Sequence, residues 1–214
     1  MSDKNSVTCI VIGLNEWDRY TKPMLESALA NDPDLNLVCV DNGSDIPYPQ
    51  MEGVKMLRSK KLSYSGGINF GIRLAEPSDW YVIINNDTFI HKPISKRIEK
   101  LKQDALYGFY LEPKDKYRLF MWNYLCGWCL IASKAVLSTL GEFDEKCTPM
   151  FFEDADYSAR ALKAGYTLEV LDRVDWGLQH LEDERKVERK AYIKGNMKQR
   201  LAIKDYVRRK HGIF

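Results

Sequence analysis

The chain has 214 residues, 45% of them hydrophobic and 29% charged, with a formal net charge of +2. That length supports one sizeable core, and the composition is ordinary for a soluble globular protein. No apolar run approaches the roughly 20 residues of a membrane span. The start, MSDKNSVTCIVIG, has no basic leader followed by a long apolar core, so a cytoplasmic protein is the expectation.

In chain order, VTCIVIGL (7–14) is a short continuous apolar run with β-branched residues, the pattern of a buried parallel strand. KPMLESALAN (22–31) has helical spacing, with Met24, Leu25, Ala28 and Leu29 on one face. LNLVCVDNGSD (35–45) predicts a second buried strand and VKMLRS (54–59) a third. GGINFGIRLAEP (66–77) predicts a helix that Pro77 helps to end, and WYVIINND (80–87) a fourth strand. This order argues for an α/β sandwich with a mostly parallel sheet flanked by helices.

ISKRIEKLKQ (94–103) predicts an amphipathic helix. Residues 106–132 are aromatic-rich and strand-like, with no pairing that the pattern resolves. Ser133 and Gly141 bracket a short helix as N-cap and stop. DADYSARALKAGY (154–166) predicts another helix, ended by Gly165, and TLEVLD (167–172) a strand. From Glu182 the pattern is a long helix interrupted near Gly195. With no repeats or linker, one domain is expected over 1–182, and 183–214 reads as its basic helical extension.

That extension carries 11 Lys and Arg against 4 Asp and Glu, which leaves 21 against 26 on the rest of the chain. A basic tail on an acidic body suits an anionic partner such as a membrane surface, a nucleic acid or a phosphorylated acceptor; it equally suits a solvated helix face. Of five cysteines, Cys9 and Cys39 sit in apolar runs and read as small buried hydrophobes. CGWC (126–129) has the spacing of a redox or zinc half-site. Its strand-like context and the lack of a second CxxC favour packing for Cys126 and Cys129.

Polar clusters fall at the carboxyl ends of three predicted strands: Asn15 with Glu16, Asp41 to Ser44, and Asn85 to Thr88. Open α/β sheets bind ligands outside those ends. Three clusters in register point to a site for a polar, phosphorylated ligand. Taken alone, Asn85-Asn86-Asp87 reads equally as a strand-end turn or a metal site.

Five ordered pieces, VIGLNEW, VDNGSD, LSYSGGINFGI, INNDT and GEFDEKCTPMFFEDADYSARALKAGY, resemble the nucleotide-sugar glycosyltransferases of family 2 over residues 7–180. The resemblance implies a single GT-A, Rossmann-like domain that transfers a sugar from a UDP-, GDP- or dTDP-sugar to an acceptor hydroxyl, with inversion. It places Gly13, Asn15, Asp41, Gly67, Asn86 and Trp128 at the nucleotide and donor sugar. Asp87 and His180 would hold Mn²⁺ or Mg²⁺, with imidazole the better match to Mn²⁺. Asp154 would be the base and Glu153 would orient it or the acceptor, while Asp156 pairs with Arg160. The acceptor is open among a glycan, a protein and a nucleic acid.

The chain departs from the family at Ile12 and Leu14, where proline and tyrosine are usual, at Lys61 and Ser63, and at Asn85, which replaces the first acid of the Asp-x-Asp motif. A weak cation affinity before donor binding follows from that last change. His91 and His211 have no such context. Glycines 66, 67 and 71 do not form GxGxxG. Two alternatives are a sugar-phosphate nucleotidyltransferase, although GLNEWDRYTKP lacks its glycine-rich basic loop, and a non-catalytic carbohydrate- or nucleic-acid-binding relative.

Overall fold

A computed structural model describes residues 6–114, 120–181 and 185–212. The first strand, β1 (Val7–Gly13), is buried along its whole length, as its unbroken apolar run requires. A π-helical turn (Trp17–Thr21) leads into α1 (Lys22–Asn31), whose first turn holds Pro23. Then come β2 (Asn36–Asp41), β3 (Val54–Arg58), and α2 (Tyr64–Leu74), where the Ser63 hydroxyl accepts from the Gly66 N–H at 3.0 Å. β4 (Trp80–Asn85) turns sharply into β5 (Thr88–Ile90).

The predicted helix over 94–103 is one turn only, α3 (Ser95–Ile98). Asp32 caps it, accepting from the N–H groups of Ile94 and Ser95 at 2.7 and 2.8 Å. Ile94 and Ile98 give the amphipathic spacing and are fully buried. Beyond them the bonding tightens to three-residue turns, Arg97 to Lys100 and Ile98 to Leu101, and the chain turns toward the next strand. The stretch whose strand pairing the sequence pattern leaves open contains β6 (Ala105–Gly108), β7 (Leu111–Glu112), β8 (Tyr124–Leu125) and β9 (Cys129–Ser133).

α4 (Lys134–Leu140) begins at the Ser133 cap and stops at Gly141, whose φ is 69°. α5 (Glu153–Lys163), β10 (Thr167–Val170) and β11 (Leu178–His180) follow. The basic segment forms α6 (Lys186–Gly195) and α7 (Met197–Lys210), broken at Asn196.

Seven strands form one sheet in the order β10-β6-β9-β4-β1-β2-β3. It is mostly parallel; β9 runs antiparallel to both β4 and β6. The register sets Gly13 opposite Asp41 and Ile12 opposite Asn85. Three polar clusters are thereby delivered to one edge of the sheet.

Side chains alternate along β1, so Cys9 and Val11 pack with α1 and α3 on one face. Ile10 and Ile12 pack with α2, α4 and α5 on the other. A third cluster joins Phe120, Tyr124, Cys147 and Phe152 to Ile203 and Val207 of α7. Each buried aliphatic side chain there contributes about 1.5–3 kcal/mol, so α7 belongs to the body of the protein and is not a free basic arm.

Candidate active site

The turn after β4 projects Asp87, and β5 then pairs antiparallel with β11, setting His180 opposite Thr88. This pairing carries His180 to within 3.4 Å of Asp87, Nε2 to Oδ1. The Leu181 N–H donates to the Asp87 carbonyl at 2.9 Å and fastens the far end of β11. The Trp128 ring stacks on the His180 imidazole, 4.8 Å between centroids and 5° from parallel.

Burial opposes ionisation of Asp87, but His180 and Arg185 outweigh it and hold the carboxyl below its ordinary range. The Arg185 guanidinium donates to Oδ2 at 2.6 Å, whereas Oδ1 is buried with no hydrogen-bond donor. An ionised oxygen without a donor, beside an imidazole nitrogen, suits a divalent cation. Asn85 faces elsewhere: its Oδ1 accepts from the Tyr64 hydroxyl at 2.6 Å. Among the described residues no three His, Cys, Asp or Glu gather as a complete metal cage. A cation held here would need oxygens from its substrate.

On the opposite side, Phe151 and Phe152 adopt left-handed backbone, with φ of 98° and 62°, and turn the chain into α5. Glu153 and Asp154 occupy its first turn, where the helix dipole favours acids. Asp154 Oδ2 accepts from the Gly127 N–H at 2.9 Å and Oδ1 from the Ala155 N–H at 2.8 Å. The CGWC segment is therefore a turn that presents the Gly127 N–H and the Trp128 ring. None of the five cysteines is in a disulfide, and burial pushes the Cys129 thiol well up, away from reactivity.

Burial raises both acids of the pair. The Asp154 charge adds to the rise at Glu153, and backbone donors oppose the rise at both acids, with N–H groups of Gly127 and Ala155 on the two oxygens of Asp154. Glu153 Oε2 is buried with no donor. Asp154 is thus the acid that ionises more readily, and Glu153 is the one held protonated.

Tyr64, at the start of α2, joins the two sides. Burial pushes its phenol well up, and the charges of Glu153, Asp87 and Asp154 add to that. Its N–H donates to Pro149 at 2.8 Å, ahead of the paired acids. Nothing in LSYSGG singles out this tyrosine, because only the packing of α2 across the end of β4 brings it to Asn85.

Of the expected donor residues, Gly13, Asn15 and Asp41 lie at the ends of β1 and β2, Asn86 in the turn after β4 and Gly67 in α2. The Gly13 carbonyl accepts from the Asn42 N–H at 2.8 Å, and a Cβ at Gly13 would lie 2.5 Å from the Tyr48 hydroxyl. Asn15, with φ of 56°, accepts from the Asp45 N–H on its Oδ1, and its own N–H donates to the Ser44 hydroxyl. Burial opposes ionisation of Asp41, yet the Ser44 hydroxyl and N–H, the Tyr48 N–H and the Arg58 guanidinium keep its carboxyl below the ordinary range. With Tyr48, Gln50 and Arg58 it lines a small cavity of about 70 Å³. Asn86 donates to the Thr21 hydroxyl at 2.9 Å. Gly67 sits against Ile12, where a Cβ would come to 3.1 Å, so it serves close packing of α2 on β1.

Asp156 pairs with Arg160 at 2.9 Å, as the four-residue spacing predicts. His211, which has no context in the sequence, lies 2.9 Å from the same carboxylate, and Lys210 lies 2.7 Å from it. Burial opposes its ionisation, but these partners hold the carboxyl at about 2. Lys210 also reaches Asp144 at 2.6 Å. The end of α7 thereby clamps the helix that carries Glu153 and Asp154.

No protein-family profile matches the chain, and no curated protein matches its sequence. Its structure is similar to several solved glycosyltransferases. One is the mannosyltransferase PcManGT from Pyrobaculum calidifontis, in complex with GDP-Man and Mn²⁺ (TM-score 0.60, 15% identity, 81% of this chain and 56% of that one). Another is GalNAc-T7 with UDP, GalNAc and Mn²⁺ (0.61, 12%, 77% and 41%). A third is S. aureus TarS 1–349 (0.57, 17%, 78% and 58%). The chain has the GT-A fold of these enzymes. It spans about half the length of each.

Proposed function

We propose that the protein is a metal-dependent inverting glycosyltransferase, taking a sugar from a nucleoside diphosphate sugar to an acceptor hydroxyl. The observation that carries this reading is one active-site face with Asp87 and His180 on one side, Asp154 with Glu153 on the other, and Tyr64 between them. The similarity to enzymes solved with GDP-Man, UDP and Mn²⁺ supports the same donor class here.

Asp87 Oδ1 and His180 Nε2 would hold Mn²⁺ or Mg²⁺. When bound, the ion acts as a Lewis acid on the departing diphosphate. Asn86 and the ends of β1 and β2 hold the donor, with Gly13, Asn15 and Asp41 on the nucleotide and Gly67 closing the helix against them. Trp128 fixes the His180 ring and borders the sugar. Asp154 Oδ2 or Oδ1 takes the acceptor proton during attack from the face opposite the leaving group. Glu153 stays protonated and leaves Asp154 as the one ionised carboxylate there. Tyr64 holds Asn85 and separates the cation side from the base.

Residues 1–182 form the transferase domain and 183–214 its extension, in a cytoplasmic setting. No described helix is long and apolar enough to cross a membrane. Lys186, Lys190 and Lys194 repeat every four residues along α6, all exposed, and supply contact with an anionic acceptor or membrane surface.

A thermal-shift panel of nucleoside diphosphates and their sugars, with and without Mn²⁺, tests the reading. Stabilisation by one donor that requires the metal is expected. A chain indifferent to every nucleotide, or stabilised equally without metal, overturns it.

A further inference from the structure

Arg185 stands 98 positions after the acid it contacts. Asp87 is nearly sealed from solvent, and a buried carboxylate needs a compensating charge. One of its oxygens has the Arg185 guanidinium at 2.6 Å, and the other faces the His180 Nε2 at 3.4 Å without a hydrogen bond. Arg185 is therefore a permanent cation in direct contact with this carboxylate, beside the imidazole of His180.

Its remaining contacts are of an exchangeable kind. The guanidinium lies 4.7 Å over the Tyr20 ring, and its Nε is 3.8 Å from Glu188. Glu188 in turn pairs with Arg19 at 3.0 Å. The Arg19, Arg185 and Glu188 side chains are all at least one-third exposed, and contacts of that sort hold a side chain weakly. Arg185 can leave Asp87 without unfolding the start of α6.

We infer that Arg185 is a stand-in cation for Asp87 that changes partner when donor binds: in the donor-free protein it neutralises the carboxylate and opposes a divalent ion, and with donor present it moves to the phosphate oxygens. This rests on the donor reading above. The physical reason is charge. A guanidinium and a divalent ion on the two oxygens of one carboxylate repel at short range in a poorly screened site. A diphosphate brings enough negative charge for both cations, and the planar guanidinium matches phosphate oxygens. Metal and donor then bind with strong mutual enhancement, with Arg185 carrying much of the coupling.

The experiment measures free Mn²⁺ by electron paramagnetic resonance as the full chain is titrated, with and without UDP or GDP. Arg185→Gln is expected to bind Mn²⁺ about tenfold tighter without nucleotide, and the nucleoside diphosphate about tenfold weaker in the presence of Mn²⁺. Arg185→Lys, which keeps the charge, should restore the donor-free suppression of Mn²⁺ binding. Unchanged or weaker Mn²⁺ binding by a folded Arg185→Gln overturns the inference, as does unchanged nucleotide affinity. Asp87→Asn separates the two readings. If it removes Mn²⁺ binding while Arg185→Gln has no effect, only the role of Arg185 falls. If neither wild type nor variant binds Mn²⁺ with any nucleotide, the metal-dependent donor site falls with it.

Discussion

The Gly127 N–H donates to Asp154 Oδ2 at 2.9 Å, and a Cβ at Gly127 would lie only 3.1 Å from the Asp154 Cβ. The candidate base is thus positioned by a backbone group in a turn that no side chain can enter freely. Gly127→Ala should displace the carboxylate and lower turnover by about tenfold to a hundredfold, because small misplacements at a reacting group are costly. Donor affinity should stay within about twofold, since Gly127 bonds the candidate base and not Asp87 or Asp41. Steady-state kinetics alongside calorimetric donor binding checks both parts.

Asp154→Asn should abolish transfer, a loss of about 10²–10⁴-fold in turnover, while donor binding persists. The pH dependence follows from burial, which raises the Asp154 carboxyl. A base is active only when ionised, so turnover is present above its pKa and falls as pH drops through it. The acid limb should lie clearly above the ordinary carboxylate range near pH 4. A limb at or below pH 4 in the wild-type profile would remove Asp154 from this role.

Glu153 predicts a stability effect of opposite sense to an ordinary ion pair. Its folded pKa is raised by burial and by Asp154, so ionisation is penalised in the fold. The penalty is absent below the unfolded pKa and grows as pH rises toward the folded one. Glu153→Gln should therefore raise the melting temperature at pH 8 and leave it nearly unchanged at pH 4. Thermal melts at the two pH values decide it.

The clamp on α5 predicts the reverse pH sense. Asp156 is held at about 2 by His211, Lys210 and Arg160. Its contribution is present above the unfolded carboxylate value and lost as pH falls toward 2. Replacing Lys210 and His211 together by alanine should cost about 3 kcal/mol at neutral pH, because a buried carboxylate loses two of its partners. Chemical denaturation at pH 7 and pH 3 should show the loss shrinking in acid.

Surface charge on α6 can be tested apart from folding. Removing everything after Asp183 would strip Ile203 and Val207 from the core, so truncation mixes two effects. Changing exposed Lys186, Lys190 and Lys194 to glutamate should weaken binding to anionic vesicles or a phosphorylated acceptor by about tenfold or more. Donor hydrolysis and melting temperature should be unaffected. Unchanged vesicle and acceptor binding would mark these lysines as a solvated face.

The residues themselves determined most of the elements and the polar groups that gather at one end of the sheet. Continuous apolar runs require strands buried on both faces, and the polar residues that end them at Asn15, Asp41 and Asn85 mark the carboxyl ends of a parallel sheet, outside which such folds bind ligands. Paired acids opening a helix at Glu153 and Asp154 are equally legible, because a helix start favours negative charge. The helix over 94–103 was misleading for a local reason: Ile94 and Ile98 satisfy the helical period, but the turn bonds that follow depend on where β6 must begin. What only the tertiary structure decided are the long-range meetings. His180 reaches Asp87 through the pairing of β11 with β5, Tyr64 reaches Asn85 across α2, Arg185 covers Asp87 from the start of α6, and His211 returns to Asp156. Such contacts join residues separated by tens of positions, and periodicity carries information only across neighbouring turns. The stretch Asn85-Asn86-Asp87 shows the difference: its resemblance to the family's Asp-x-Asp motif implies that one acid is absent, while the fold brings an imidazole and a guanidinium to the acid that remains.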